Sequence, residues 1–158
     1  MEKAKAFLEL TDEQSHSVSR LAFRPHRVHI DSSFYEDFAI KGLRVDRVEP
    51  GLIACSFKVP PRLVDSNGNL SSGAIANLVD EVGAAVIHGE GQPMDVSVDM
   101  SISYISTAKL NDELEITSRL LGRKGFYSGT IVLLKNIATG EVVAEGRHSL
   151  FTKPASKI

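Results

Sequence analysis

The sequence predicts an α+β domain in which one long helix lies on a mainly antiparallel sheet of about six strands. Three observations predict it. The stretch from Ser71 to His88 sorts its side chains at helical spacing. Runs of alternating apolar and polar residues stand on both sides of that stretch. The runs after it are joined by short turns, which force antiparallel neighbours.

The first 41 or so residues read as a helical preface. Thr11-Asp12-Glu13-Gln14 has the Thr-x-x-Gln spacing of a capping box, and Ser32 or Ser33 opens a second helix with Glu36 at the matching offset. From Gly42 the period becomes two: Leu43, Val45 and Val48, a turn at Glu49-Pro50-Gly51, then Leu52, Ala54 and Phe57. This hairpin ends at Pro60-Pro61, and the segment to Leu70 is loop by composition. In the central helix Ile75, Leu78, Val79, Val82 and Val86 form a bulky apolar stripe; Gly73, Ala76, Asn77, Asp80, Gly83 and Ala84 form an opposing small or polar one. Its length would be roughly 27 Å, the width of a small sheet. Past the breaker Gly89 to Pro93, Val96, Val98, Met100, Ile102 and Tyr104 alternate with Ser97, Asp99, Ser101 and Ser103. Three further strands are expected near 113–121, 126–137 and 141–152, with Gly122-Arg-Lys-Gly125 among the turns between them. The order strand, strand, long helix, four strands is that of the hotdog fold.

Composition narrows the function classes. The chain has 158 residues, 18 Lys+Arg and 20 Asp+Glu, so its formal net charge of -2 argues against a broadly basic nucleic-acid surface. A mean hydropathy of -0.04 and the absence of any long apolar run argue against a membrane span. The single cysteine, Cys55, rules out an internal disulfide and suits a reducing compartment; on a strand face without a base partner it reads as packing. No internal repeat or linker divides the chain, and the start, which runs into acidic residues, is not expected to be a secretory signal.

Several motifs stand in a fixed order: Ser72-Gly73-Ala-Ile-Ala-Asn-Leu-Val-Asp80, Val96-Ser97-Val98-Asp99-Met100, Tyr104-x-x-x-Ala108-Lys109-Leu110, Ala138-Thr-Gly140 and Gly146-Arg147-His148. Together they resemble the small hotdog-fold acyl-CoA thioesterases of the PaaI-like branch, which includes acyl-CoA thioesterase 13. The resemblance runs over residues 33 to 150. It places a main domain at 33–152; the residues outside it read as an N-terminal helical extension at 1–32 and a flexible tail at 153–158. It also implies hydrolysis of a fatty or aromatic acyl-CoA to free acid and coenzyme A, without a cofactor, coenzyme A being part of the substrate.

The site residues are implied in the same way. Asp80 matches the carboxylate that activates water or attacks the thioester, and Ser97 matches the serine that holds it. The amides of Ser72 and Gly73 match the oxyanion donors. The family's His-Gly-Gly at the helix start is Ser71-Ser72-Gly73 here, and Asp65 stands where asparagine is usual. Asp65 opens Asp65-Ser-Asn-Gly68, which resembles the carboxylate loop of another hotdog thioesterase branch, so Asp65 joins the catalytic candidates. Coenzyme A contacts map to Tyr104, Ser106, Lys109, Arg123, Lys124 and Gly125, where cations suit phosphate.

The residues alone leave alternatives. A carboxylate on an apolar helix is poorly solvated and therefore a stronger base; it can equally cap backbone or pair with an arginine. Gly73 and Asp80 share a helix face roughly 10 Å apart along the axis, too far for one thioester carbonyl to touch both. A shared substrate therefore requires two subunits with antiparallel helices, brought close by Gly73, Ala76, Gly83 and Ala84. The family's dimers, commonly paired into tetramers, imply a homo-oligomer. His88 ends the central helix, where a cation helps the dipole, His148 reads as structural, and no His, Asp and Cys set has metal-ligand spacing. Ser156-Lys157-Ile158 resembles the Ser-Lys-Leu peroxisomal address, which implies an import receptor as partner and the peroxisome as location, with the cytoplasm as alternative. Two rival functions remain: a non-catalytic acyl-CoA binder, and a hydratase or dehydratase, which would need a His and Asp pair at the site.

Overall fold

Residues 8–23, 25–27, 30–88 and 95–152 are described by a computed structural model. Two units, Met1–Asp37 and Phe38–Ile158, divide the chain. In the first, helix α1 (Asp12–Ser19) is closed at its start by the capping box: Gln14 N–H donates to Thr11 Oγ1 at 3.2 Å and Thr11 N–H donates to Gln14 Oε1 at 2.9 Å. A second reciprocal box, Ser33 with Glu36, opens helix α2 (Phe34–Ile40), and the unit boundary falls within that helix.

The second unit is one sheet and one long helix. Strands β1 (Arg44–Glu49) and β2 (Leu52–Lys58) turn at Gly51, whose φ of +70° is the left-handed conformation that glycine adopts without strain. After a 3-10 turn at Pro61–Leu63 comes helix α3 (Ser72–His88), then β3 (Asp95–Tyr104), β4 (Glu113–Lys124), β5 (Tyr127–Asn136) and β6 (Val142–Thr152). All six strands form one antiparallel sheet in the order β1-β2-β4-β5-β6-β3, the hotdog arrangement the element order predicts.

The bulky stripe of α3 is the core. Ile75, Leu78, Val79, Val82 and Val86 are buried together with Ile116, Val132, Leu134 and Leu150 of the sheet. Burying such side chains contributes about 1.5–3 kcal/mol each before chain entropy opposes it. Gly146 on β6 lets α3 approach, because a Cβ there would lie 2.5 Å from Val79 Cγ1.

Three expectations are corrected. Gly83 belongs to the sheet-facing side of α3, not to a small outer face: it is buried, and a Cβ on it would meet His148 and Thr130. Strand β4 runs through the expected turn to Lys124, so Arg123 and Lys124 are strand residues; the bend comes at Gly125, with φ +61°. On β3 the strict alternation breaks between Ser97 and Asp99, where the register with β6 shifts. Val98 is the extra residue, so Ser97 falls on the same face as Met100 and Ile102, opposite Leu150, while Val96 and Val98 are 59% and 54% exposed.

Candidate active site

The bulge brings β3 and α3 together at one carboxylate. Ser97 Oγ donates to Asp80 Oδ1 at 2.7 Å, the length of a charge-assisted O–H···O bond. Among the described residues Oδ2 takes no hydrogen bond, and the Asp80 side chain is 41% exposed. That exposure corrects the expectation of a poorly solvated carboxylate in the chain as it stands.

A second group reaches the same oxygen from below. His148 Nε2 lies 3.3 Å from Asp80 Oδ1, close enough for charge attraction but off the line a hydrogen bond needs; the imidazole is fully buried. Burial pushes its pKa below the ordinary value, and the Asp80 charge partly opposes that, so the ring is neutral near pH 7. The Asp80 contact goes beyond the structural role expected of His148 from the sequence. Two signals point to it: on β6 it shares the inward phase of Ala144, Gly146 and Leu150, and Gly83 stands opposite without a Cβ.

The start of α3 is the other half of the candidate site. Ser71 Oγ accepts the Ala74 N–H at 3.2 Å and so caps the helix. The preceding amides, Ser72 and Gly73, take no part in that cap; both residues are exposed, and nothing lies within 4 Å of where a Gly73 Cβ would be. Unpaired N–H groups at a helix start, with the positive end of the dipole, suit an oxyanion. Tyr104 Oη–H points to Ser72 O at 3.4 Å, so β3 touches α3 at both ends of the site.

A thioester-hydrolysing constellation is what this geometry resembles, and the comparisons decide its family. The thioesterase superfamily matches residues 67–127. Human acyl-coenzyme A thioesterase 13 is 39% identical over 101 residues, 63% of this chain and 72% of the human one. The chain belongs to the thioesterase superfamily. Thioesterase superfamily member 2 from Mus musculus shares the fold with a TM-score of 0.71 and 30% identity, covering 76% of this chain and 89% of that one. The zebra fish member 2 superposes with a TM-score of 0.72 at 28% identity, covering 92% and 100%.

In this thioesterase-superfamily chain the remaining candidates fall into two groups. Asp65 Oδ1 accepts the amides of Asn67 at 2.8 Å and Asn69 at 3.0 Å, and thus shapes the loop that leads into α3. Lys109 pairs by a backbone bridge with Asn69 of that loop, and Ser106 Oγ donates to Val142 O at 2.9 Å. Tyr104, Ser106 and Lys109 therefore lie toward the helix start. Arg123, Lys124 and Gly125 are at the far end of β4, which spans roughly 36–40 Å at strand rise from Glu113 to Lys124. Arg123 and Lys124 line a concavity of about 360 Å³ with Tyr127, Ser128 and Ser149. One chain does not gather all six.

Other features carry no chemistry of their own. Cys55 is buried and free, and burial with the nearby Asp46 charge raises its thiol to about 11, as inert packing requires. Among the described residues no group of three His, Cys, Asp or Glu side chains is placed to hold a metal, and no helix is long and apolar enough to cross a membrane. Ser156-Lys157-Ile158 lies outside the described residues.

Proposed function

We propose that the chain hydrolyses the thioester of an acyl-CoA to free acid and coenzyme A. The observation that carries this reading is the Asp80 carboxylate, anchored through one oxygen by Ser97 and open at the other, in a chain of the thioesterase superfamily. Oδ2 takes a proton from water as the water oxygen bonds to the thioester carbon; the C–S bond then breaks and the proton goes to the leaving sulfur. Direct attack by Oδ2, followed by hydrolysis of the acyl-aspartyl anhydride, uses the same oxygen. The N–H groups of Ser72 and Gly73 receive the oxyanion.

The two halves serve one substrate only in a homo-oligomer. Seven residues of helix separate Gly73 from Asp80 by roughly 10 Å, so the helix start of one subunit meets the Asp80 of another across an antiparallel pair. That pairing also brings the Tyr104, Ser106 and Lys109 end of one chain toward the Arg123, Lys124 and Gly125 end of the other. Both cationic ends then flank one coenzyme A. Asp65, on the helix-start side, adds a second carboxylate from the opposite subunit. Pairing into tetramers extends the same assembly.

The His148 and Asp80 pair is what a hydratase would need. Its imidazole, however, is fully buried and does not reach a substrate, so hydrolysis is the better reading. The test is coenzyme A thiol release from short, long and aromatic acyl-CoAs by wild type, Asp80→Asn and Asp65→Asn, with the assembly state followed by light scattering. Release that collapses in Asp80→Asn supports the reading. Binding of acyl-CoA without release in the wild type overturns it in favour of a carrier.

A further inference from the structure

The His148 imidazole is expensive to keep where it is. Both ring nitrogens are buried and neither makes a hydrogen bond among the described residues, which leaves their lost hydration uncompensated. Gly83 stands opposite in the interior of α3, where glycine holds a helix less well than alanine. A Cβ on it would lie 2.8 Å from His148 Nδ1 and 3.2 Å from Thr130 Oγ1. Two residues along β6, Leu150 fills the equivalent inward position with an aliphatic side chain and no polar burden. Packing alone therefore favours a second leucine at 148. What the imidazole adds is a donor 3.3 Å from Asp80 Oδ1.

We propose that His148 is a positioning residue for Asp80: its neutral Nε2–H, 3.3 Å from Oδ1 and unpartnered in the unliganded chain, becomes the second donor to that oxygen when substrate binds, and with Ser97 it forms a two-donor cradle that aims Oδ2 at the reacting water or thioester. The proposal rests on the thioesterase reading of Asp80. Hydrogen bonds of this kind are often long in an unliganded site and shorten when substrate closes it. The charged or titratable groups on the elements packed around the ring are Asp80, Glu81 and His88 on α3, Asp95 and Asp99 on β3, Lys135 on β5, and Glu145 and Arg147 on β6; Asp80 is the one whose charge acts on it. An imidazolium beside Asp80 would weaken the carboxylate as a base, so the reaction requires the neutral ring. Activity then falls with the protonation of His148 on the acid side.

One arm of the test needs no turnover. The His148 ring is titrated by NMR in wild type and in Asp80→Asn: loss of the carboxylate removes the charge that favours the imidazolium, so His148 titrates at lower pH in the variant. Identical titration in both overturns the coupling. The second arm follows kcat and KM for thiol release from about pH 5 to pH 8. His148→Leu keeps the volume and loses the donor, and kcat falls roughly tenfold or more with KM nearly unchanged. His148→Gln places an amide donor near the Nε2 position and does not titrate, so it restores most of kcat and removes the His148 contribution to the acid limb. Equal kcat and equal acid limbs in all three chains overturn the proposal, since a core-filling residue would change stability and not rate. If His148→Leu fails to fold, the glutamine variant and the NMR titration decide. A wild type that releases no thiol overturns the thioesterase reading instead, and the NMR arm still decides the coupling.

Discussion

Helix α3 meets the sheet closely at two glycines, and the two approaches differ in kind. At Gly146 the missing Cβ admits Val79, and the seam there is dry, with the neighbouring Ala144 and Val132 fully buried. One helical turn on, at Gly83, the missing Cβ admits an imidazole, with Thr130 beside it. Only two residues of β6 separate the two places. The first is a packing solution that any apolar core would accept. The second sacrifices packing quality to bring a polar ring under Asp80, and such local losses of stability are expected where chemistry is done.

The largest expected effect lies on the polar side. Asp80→Asn lowers thiol release by about 10²–10⁴-fold while its stability stays within roughly 0.5 kcal/mol, because the side chain is 41% exposed. Steady-state kinetics and thermal unfolding of one preparation test both halves, and a variant that loses stability but keeps its rate would erase the distinction between the two seams. Gly146→Ala is the mirror case. Its new Cβ would lie 2.5 Å from Val79 Cγ1, so the helix must shift, costing about 1–3 kcal/mol and lowering Tm by about 2–4 °C per kcal/mol. The rate per folded molecule should be preserved. Gly83→Ala sharpens the comparison further: gain of helix propensity offsets part of its clash with His148, so the stability loss is smaller than at Gly146, yet thiol release drops roughly tenfold as the ring is displaced.

The dry seam was legible in the sequence and the polar one only in part. Ile75, Leu78, Val79, Val82 and Val86 recur at helical spacing, and burial follows from that spacing alone. The short turns fixed neighbouring strands as antiparallel, although the position of β3 beyond β6 at the sheet edge depends on a long-range pairing that no local pattern encodes. Gly83 faces the sheet although its size suits an outer face equally, because a small residue reads the same whether it faces a second helix or an imidazole. The Ser97 contact was beyond periodicity as well: two-residue alternation places Ser97 opposite Met100 and Ile102, and only the bulge at Val98 turns it toward Asp80. Family resemblance supplied that pairing where the pattern opposed it. His148 was visible as an inward position of β6, but its partner is fixed by where α3 crosses the sheet.

The smallest effect tests the polar seam without substrate. His148 has its ordinary pKa near about 6.5 in the unfolded chain and a lower one in the fold, because burial outweighs the Asp80 charge. Between those two values the unfolded state binds more protons than the native one. The stability tied to the neutral ring is therefore fully present above about pH 6.5 and is lost as the pH falls toward the folded value. Urea denaturation across that window should show a decline in wild type that is shallower in His148→Gln, the difference staying below about 1 kcal/mol at pH 6. Asp80→Asn should show the opposite, a steeper decline, since its ring has lost the charge that supports protonation. Parallel curves for wild type and His148→Gln would mean that the ring titrates alike in both states, and the distinction between a dry and a polar seam would then lack an electrostatic basis.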